Sequence, residues 1–406
     1  MSHCRVSGGP LVEVLDLGIQ PLGNGFVSDN TSDNEYRYRL RCGFSEQSKL
    51  FQLFEQPDPS LMFNDSYAFL SSTSLGMRSH FRELAEMCVK NFMSGKPEGL
   101  VVEIGCNDGI FLENIAGYGL RHVGVEPSAN VEQIASNKGL LTVQEFFSLE
   151  IARQIREQHG PANLIVATNV LCHISNLGGI ANAVDELLSD DGILVTEDPY
   201  LGSVLKMNSY DQIYDEHVFL FSALSMEYAF SKVGLELIDV EHQSVHGGSM
   251  RYVMARAGSR EATARTRQLL DNERLEGLDR VETYHIFSQR VKESASELRQ
   301  IIIEAKDAAG SVVAFGATSK STTIYNYANI GPDLISKIFD NSPTKIGKFS
   351  PGMRIPIVSS ALFPEDASGH AFLAAWNHEK EIRDQFPSFE KSGRRWIVHV
   401  PKAHYL

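Results

Sequence analysis

The sequence predicts an α/β protein whose central part contains a parallel sheet covered by helices on both faces. Apolar, β-branched segments alternate with helical patterns over the middle of the chain, as in sheets built from right-handed crossovers. Five segments are predicted strands of this sheet: 99–105, 122–126, 140–147, 163–171 and 192–198. LELIDVE and MRYVMARA follow a predicted helix at 222–233 and could complete the sheet in antiparallel pairing.

Changes in composition along the chain predict four parts. Residues 1–70 contain short apolar runs broken by Gly, Pro, Asn and Asp, which favours a small β-rich module. Residues 71–258 carry the strand and helix alternation of the central domain. Residues 259–309 are rich in Arg, Glu, Gln, Leu and Ala, which predicts a helical connector. Residues 310–406 repeat the alternation as a smaller, open α/β domain.

Length and charge exclude several classes of protein. The chain has 406 residues and a formal net charge of -14 without a local basic patch, so we expect no nucleic-acid partner. No segment approaches roughly 18 consecutive apolar residues, and the first residues lack a signal-peptide pattern, so we expect a cytoplasmic protein without a membrane span. Five widely spaced cysteines suit reduced thiols. We expect a monomer, because the chain already supplies three packed domains.

The first predicted strand of the central sheet leads into a loop, VVEIGCNDGIFLENI, that we interpret as a cofactor site. Glu126 ends the next strand, 21 residues after Gly105, where a carboxylate can bind ribose hydroxyls. The loop lacks GxGxxG, and Asp108 disfavours phosphate, so S-adenosyl-L-methionine fits it better than a dinucleotide. Asp108 could alternatively cap the following helix. The predicted cofactor residues are Glu103, Gly105, Asn107, Asp108, Gly109, Glu126, Pro127 and Asn169.

A cluster of titratable and aromatic side chains follows the fifth predicted strand, in EDPYLGSVLKMNSYDQIYDEHVFLFS. Tyr214, Glu216 and His217 lie within four residues. That spacing permits a base oriented by a carboxylate, with a phenol that donates to a substrate oxygen. The alternative is a purely structural hydrogen-bond cluster. Tyr200, in the same segment, is a candidate substrate contact.

Three further segments carry candidate substrate-binding residues. VHGGSMRY, before the last strand of the central domain, supplies four of them: His246, Gly247, Gly248 and Arg251. His173, after the fourth strand, falls at the carboxyl edge of the sheet where ligands bind, although a structural role would also explain it. FGATSKSTT resembles a strand-to-helix turn, with Lys320 at the helix start as a candidate phosphate contact.

The order and length of these motifs resemble the sugar C-methyltransferases of antibiotic deoxysugar pathways. The matching segments span nearly the whole chain and are VEIGCNDG, VEPS, GPANLI, LCHI, EDPYLG, YDQIYDEH, FLFSA, VHGGSMRY, FGATSKS and AWNH. The resemblance implies a small N-terminal zinc-binding module, a central Rossmann-like S-adenosylmethionine domain and a C-terminal α/β domain. It also implies methylation at C3 of a thymidine-diphosphate-linked 4-keto-6-deoxy sugar.

The resemblance assigns roles to individual residues. In the implied reaction a base removes the C3 proton beside the C4 ketone, and the enolate attacks the sulfonium methyl. His217 matches the base, with Tyr214 and Glu216 supporting the enolate oxygen and the histidine. Tyr67, in NDSYAFLSS, is similar to a tyrosine that lines the sugar pocket, and Ser72 ends the same segment as a further candidate substrate contact.

The sequence departs from the family in its N-terminal module. The first CxxC of the family becomes Cys4 and Ser7, and the second aligns with Ser45 and Ser48. Three of four zinc ligands are therefore missing, so we predict the fold of the module but no metal. The sequence leaves open whether the nucleotide base is thymidine or guanosine, and it leaves open the stereochemistry of the sugar.

Three other functions are compatible with parts of the sequence. An O-methyltransferase would share the cofactor loop but would need no carbon acid. A nicotinamide-dependent dehydrogenase or epimerase of nucleotide sugars would hold its dinucleotide at FGATSKS. A non-catalytic binding protein would agree with the lost cysteines, although YDEH retains the polar groups expected of an active centre.

Overall fold

The computed structural model describes residues 3–28, 35–63 and 70–406. Tyr67, which the resemblance places in the sugar pocket, lies outside the described residues. Three β-sheets, of four, seven and six strands, organise these ranges. None of the helices described combines the length and the apolar character that a bilayer crossing requires.

Strands and helices are numbered in chain order. The strands are β1 (Val12–Pro21), β2 (Arg37–Ser45), β3 (Leu50–Leu53), β4 (Leu100–Ile104), β5 (Arg121–Val125), β6 (Thr142–Val143), β7 (Ala162–Thr168), β8 (Leu188–Pro199), β9 (Phe219–Leu220), β10 (Leu235–Gln243), β11 (Ser249–Arg256), β12 (Val312–Phe315), β13 (Ile335–Asp340), β14 (Ile357–Ser359), β15 (His370–Leu373), β16 (Trp396–Val398) and β17 (His404–Tyr405). The helices are α1 (Pro59–Met62), α2 (Leu75–Cys88), α3 (Ile110–Gly117), α4 (Ala129–Asn137), α5 (Leu149–His159), α6 (Leu177–Leu187), α7 (Leu201–Met207), α8 (Ala223–Ser231), α9 (Ala264–Leu275), α10 (Val281–Ala309), α11 (Ser319–Tyr327), α12 (Glu379–Gln385) and α13 (Pro387–Lys391).

The central sheet has the strand order β10-β11-β8-β7-β4-β5-β6. Strands β6, β5, β4, β7 and β8 are parallel, and β11 and β10 are antiparallel, as the sequence pattern indicated. Only Thr142 and Val143 of the predicted strand 140–147 pair in the sheet. This edge strand has a neighbour on one side, and the chain then leaves the sheet to place Phe146 and Phe147 at a cavity.

The N-terminal sheet has the order β1-β2-β3-β9 and is completed from far along the chain. In β9, Leu220 pairs with Phe51 and Phe219 pairs with Gln52. The strand directly follows the YDEH segment. The N-terminal module therefore anchors the end of this segment through backbone hydrogen bonds.

Helix α10 lies in the region predicted to connect the domains, and it forms part of a core. Tyr284 and Phe287 on this helix are fully buried, and the ring of Tyr284 stacks on Phe44 of β2 at 4.3 Å between centroids. Residues of β1, β2, α10, β12 and α11 belong to one hydrophobic cluster. The N-terminal and C-terminal parts are thus joined by packing as well as by chain connection.

The four positions that align with the lost zinc ligands converge in one polar cluster. The Cys4 Sγ lies 3.1 Å from the Ser48 Oγ, and the Ser7 Oγ lies 3.5 Å from the Ser45 Oγ. The backbone N–H groups of Val6 and Ser7 donate to the Cys4 Sγ. One thiol and three hydroxyls provide a poor donor set for zinc, which prefers thiolate and imidazole ligands. Hydrogen bonds therefore connect the side chains at the four positions where the resemblance implies zinc ligands.

The C-terminal sheet has the order β14-β13-β12-β15-β16-β17, in which only β17 pairs antiparallel among the described strands. Helix α11 begins directly beyond the carboxyl end of β12. Its N-cap Thr318 accepts a hydrogen bond from the backbone of Ser321. This end of the C-terminal domain faces the central domain.

Candidate active site

A cavity of about 780 Å³ lies at the carboxyl ends of β4, β5 and β7 and continues to the N-terminal end of α11. The central domain supplies one wall of the cavity, and the C-terminal domain supplies the wall opposite. Among the predicted site residues, those that line it are Gly105, Asn107, Glu126, Pro127, Asn169, His173, Tyr214, Glu216, His217, His246 and Lys320. The structure thus brings the two main sequence clusters into one space.

The carboxylate of Glu126 is held at the end of β5 by the cofactor loop. Its Oε2 accepts from the Asn107 backbone N–H at 3.0 Å, and its Oε1 accepts from the Ser128 backbone N–H at 2.9 Å. Burial raises the pKa of Glu126, and these two hydrogen bonds oppose the rise. Each oxygen retains a lone pair, so the carboxylate can accept hydrogen bonds from a pair of ribose hydroxyls.

Gly105 allows the cofactor loop to pack closely against Val170. It adopts a φ of 70°, and a Cβ there would lie 2.3 Å from a side-chain carbon of Val170. A larger residue would have to displace Val170, which itself lines the cavity. The loop therefore exposes backbone rather than side chains toward a ligand.

Four predicted ligand contacts around this loop do not line the cavity. Asp108 accepts a hydrogen bond from the Ser72 backbone at 3.1 Å, and neither residue lines the cavity. Gly109 is the N-cap of α3, so Asp108 does not cap that helix either. Glu103 is 2% exposed, and burial raises its pKa well above the ordinary value. These carboxyl groups lie behind the loop, because the loop turns its backbone toward the cavity.

His217 is held in a defined orientation at the cavity. Its Nδ1 lies 2.7 Å from the Gln212 carbonyl oxygen, and its Nε2 lies 3.1 Å from the Tyr214 hydroxyl. Because a carbonyl only accepts, Nδ1 carries the proton and Nε2 keeps its lone pair. Burial lowers the pKa of His217 well below the ordinary value, and nearby His173 and Lys320 lower it further. The imidazole is thus neutral and suited to accept a proton.

Two carboxyl groups precede this histidine in the chain. The Asn24 amide donates to the Glu216 Oε1 at 2.6 Å, and the Gly23 backbone N–H donates to the Asp215 Oδ1 at 2.8 Å. Burial raises the pKa of Glu216, and the adjacent Asp215 raises it further. Because its pKa is raised, Glu216 keeps its neutral, proton-donating form to higher pH than an exposed glutamate does. Its side chain also lines the cavity.

Histidines and lysines line the remaining wall. Burial lowers the pKa of His173 to about 4 and that of His246 to about 3. The Lys320 Nζ donates to the His246 carbonyl at 3.4 Å, and the Lys345 Nζ donates to the Ala317 carbonyl at 2.9 Å. Both ammonium groups lie near the start of α11. The two lysines give this part of the cavity a positive charge.

Four other predicted substrate contacts are used elsewhere. The Tyr200 hydroxyl donates to Glu273 at 3.0 Å, and the same carboxylate accepts from backbone N–H groups at the start of α8. Gly247 and Gly248 make room for neighbouring side chains, those of Trp376 and Ser203 respectively. None of these residues lines the cavity.

The fourth of these residues, Arg251, belongs to a buried ionic chain. Its guanidinium pairs with Glu197 at 2.9 Å and with Glu241 at 3.0 Å. The other oxygen of Glu197 lies 2.6 Å from the Nε2 of His80. Arg251 does not reach the cavity, whereas His80 lines it. Pairing of β11 with β10 and β8 places Glu241 and Glu197 beside Arg251, and these contacts occupy the guanidinium that the sequence pattern predicted at the substrate.

Several cavity residues were missed from the sequence. Gln212 and Asn24 accept from and donate to His217 and Glu216 respectively, and His80 and Lys345 line the wall. Gln212 belongs to the YDQIYDEH motif, so its place in this motif could have identified it as a site residue. Asn24 lies 192 residues from the carboxylate it contacts. His80 lies in α2, where the apolar periodicity of the sequence indicates the buried face but not which polar residue reaches a cavity.

One group of potential metal ligands is found among the described residues. The ligand atoms of Cys172, His173 and His217 lie within 4.8 Å of one another. Burial raises the pKa of the Cys172 thiol well above the ordinary value, so this group is protonated and a weak ligand. The prediction that no metal is bound stays a prediction.

Comparison with known proteins finds family models that match three parts of the chain. Family models match as follows: a putative zinc binding domain at 4–63, a methyltransferase domain at 77–240 and a C-methyltransferase C-terminal domain at 244–401. The C-methyltransferase NovU of Streptomyces niveus is 32% identical over 418 residues, covering 100% of this chain and 97% of that protein.

Solved structures match part of the chain. A SAM-dependent methyltransferase from Anabaena variabilis is 17% identical and covers 43% of this chain and 84% of its own, with a TM-score of 0.35. Magnesium protoporphyrin IX methyltransferase from Synechocystis with bound SAH is 16% identical and covers 45% and 84% of the respective chains, with a TM-score of 0.35.

The fold and the family matches define an S-adenosylmethionine-dependent methyltransferase with a Rossmann-like central domain. The chain belongs to the C-methyltransferase family, because the relationship to NovU extends over its whole length and the family's C-terminal domain is present. The fold class, the family and the cofactor predicted from the sequence are confirmed.

Proposed function

We propose that the protein transfers the methyl group of S-adenosylmethionine to C3 of a thymidine-diphosphate-linked 4-keto-6-deoxy sugar. The observation that carries the proposal is the neutral His217, whose Nε2 lies in the same cavity as the Glu126 loop. Transfer to carbon needs a base for a carbon acid, and this imidazole is a buried base. We include in the proposal a monomeric enzyme that acts in the cytoplasm.

Deprotonation of the sugar is the step that uses His217. The C3 proton lies beside the C4 ketone and is therefore acidic. The His217 Nε2 takes this proton, and the electron pair of the C–H bond becomes the enolate. The hydrogen bond from Nδ1 to the Gln212 carbonyl stabilises the imidazolium that forms. S-adenosylmethionine, when bound, would supply an electrophilic methyl on its sulfonium. Formation of the carbon–methyl bond would break the sulfur–methyl bond, whose electron pair stays on sulfur as S-adenosylhomocysteine leaves.

Hydrogen-bond donors stabilise the enolate oxygen. The Tyr214 hydroxyl donates to the His217 Nε2 before the substrate binds, and it would turn to the enolate oxygen when that nitrogen takes the C3 proton. The neutral Glu216 carboxyl lines the same cavity. A donor aimed at developing negative charge in a dry site lowers the barrier more than it strengthens ground-state binding. Tyr67 belongs to the same proposal as a lining residue of the sugar pocket.

The diphosphate of the substrate is proposed to bind at the C-terminal domain. Lys320 and Lys345 provide two positive charges, and the start of α11 provides backbone N–H groups. This wall lies across the cavity from Glu126. A sugar nucleotide that extends from Lys320 toward His217 would place its sugar beside the base, with His173 and His246 as further contacts.

Mass spectrometry in deuterated water tests the proposal. The purified protein is incubated with thymidine-diphosphate 4-keto-6-deoxyglucose, first without and then with S-adenosylmethionine. We expect deuterium at C3 in the first incubation, above a control without enzyme, and a carbon-bound methyl at C3 in the second. A methyl on oxygen would replace the proposal with an O-methyltransferase. Product reduced only with a nicotinamide cofactor would replace it with a dehydrogenase.

A further inference from the structure

The shape of the cofactor restricts where its amino-acid end can lie. The sulfonium sulfur carries three substituents: the adenosyl group, the methyl and the amino-acid chain. Glu126 and Pro127 mark the adenosyl end, and the methyl must face His217 in the proposed function. The amino-acid chain therefore points in a third direction. On the central domain, the face of α2 with Met77 and His80 lines the cavity and is used by neither Glu126 nor His217.

His80 is the residue on that wall that can donate a hydrogen bond to a carboxylate and can carry positive charge. Other residues that can carry positive charge line the cavity in the described ranges, but they surround the base or belong to the opposite wall: His173, His217, His246, Lys320, Lys345 and His378. His80 is 8% exposed, so its ring is largely shielded from water. A charge-assisted hydrogen bond in such a place is strong.

The ionic chain behind His80 fixes its orientation. Glu241, Arg251, Glu197 and His80 follow one another with contacts of 3.0, 2.9 and 2.6 Å, so carboxylates alternate with groups that can donate hydrogen bonds. The His80 Nε2 is used by Glu197, and no hydrogen-bond partner of its Nδ1 lies among the described residues. The next group in this alternation would be an anion at Nδ1.

We propose that His80 binds the carboxylate of the methionine end of S-adenosylmethionine through its Nδ1. Glu197 and Arg251 hold the imidazole in the orientation that this contact needs. Only the direction assigned to the methyl rests on the proposed function. Cofactor binding can be measured without any sugar, so failure of this inference and failure of the proposed function are distinguishable.

Decarboxylated S-adenosylmethionine provides the test, because it differs from the cofactor only by the carboxylate. Isothermal titration calorimetry measures both ligands with the wild-type protein, His80→Gln and His378→Gln. A glutamine at 80 can still donate to Glu197 but carries no charge. We expect His80→Gln to bind S-adenosylmethionine about 10- to 100-fold more weakly, with no comparable loss for the decarboxylated ligand. The control substitution lies on the opposite wall and should change neither affinity.

Two results would overturn the inference. One is an equal loss for both ligands in a folded His80→Gln protein, which would mean that His80 acts on another part of the cofactor or only on the fold. The other is a wild-type protein that binds the two ligands equally well. Histidine-selective NMR of the wild-type protein supplies a readout that needs no variant: the His80 ring resonances should shift with S-adenosylmethionine and much less with the decarboxylated ligand.

Discussion

Two small polar clusters of this protein differ in how many of the residues implied by the family pattern they retain. The N-terminal cluster of Cys4, Ser7, Ser45 and Ser48 has lost three of the four zinc ligands that its family places there. The catalytic cluster of Tyr214, Glu216 and His217 has every polar group that the family motif implies. A metal that only joins two turns can be replaced by other contacts, whereas a base needs one particular atom.

Hydrogen bonds alone do not replace the zinc. A structural zinc contributes about 10–16 kcal/mol of apparent binding free energy in small domains, and a typical net hydrogen bond contributes about 0.5–1.5 kcal/mol. Packing must supply the remainder. Phe44 and Phe51 of the N-terminal sheet are at most 1% exposed, and both contact Tyr284 of α10. We therefore expect the module to be stable without metal, because it shares a core with the rest of the chain.

Substitution of the base should have the largest effect. We expect His217→Asn to lower kcat by about 10²- to 10⁴-fold, the contribution of a positioned general base. Affinity for S-adenosylmethionine should be nearly unchanged, because the substitution leaves Glu126 and the cofactor loop intact. Methyl-transfer assays and calorimetry measure the two quantities. Full activity in this variant would remove His217 from the mechanism.

Loss of the ribose carboxylate should have the next largest effect. We expect Glu126→Ala to weaken binding of S-adenosylmethionine by about 1.5–3 kcal/mol, the scale of hydrogen bonds to a charged group. Glu103→Gln is the matched control, because Glu103 is buried behind the loop and does not line the cavity. Calorimetry gives both affinities. An unchanged affinity in Glu126→Ala would move the ribose site elsewhere.

The acid limit of activity should lie below the pKa of an ordinary histidine. The neutral form of His217 is the active base, and its pKa in the folded protein is lowered by burial, His173 and Lys320. As the pH falls, kcat should therefore persist through about pH 6.5, where an exposed histidine is half protonated. A pH profile at saturating substrates measures this limit. An acid limb at or above that pH would contradict a buried, neutral base.

Some residues of the site could be identified from the sequence, and others only from the structure. Glu126 and His217 could be placed from the sequence, because a strand end or a motif of adjacent residues fixes their position. Arg251 could not, because its partners Glu197 and Glu241 become neighbours only through pairing of β8, β10 and β11. Asn24 reaches Glu216 across 192 residues of chain. Sequence patterns identify local chemistry, and tertiary contacts decide which side chains remain available.

Restoring the lost ligands should convert the N-terminal cluster into a zinc site. Four thiolates bound at about 2.3 Å around a tetrahedral zinc lie about 3.8 Å apart. The present side-chain pairs, at 3.1 and 3.5 Å, are close to that spacing. We expect the combined variant Ser7→Cys, Ser45→Cys and Ser48→Cys to bind one zinc and to gain about 2–4 °C in Tm for each kcal/mol of added stability.

Metal analysis and thermal unfolding with and without a chelator test the restored site. The same three positions changed to alanine provide the control, which should bind no zinc and should be insensitive to the chelator. A combined cysteine variant that binds no metal would mean that the turns have moved out of register since the ligands were lost.

The smallest effect is expected from substitution of Cys4, the one cysteine of the N-terminal cluster. Cys4→Ala removes the contact with the Ser48 hydroxyl and an acceptor for two backbone N–H groups, so we expect it to lower the free energy of unfolding by about 0.5–1.5 kcal/mol. Cys4→Ser keeps a hydrogen-bonding atom and should cost less. Chemical denaturation measures both, and a chelator should not alter the wild-type curve. If the chelator does destabilise the wild-type protein, one cysteine and three serines still hold a metal, and packing contributes less than argued above.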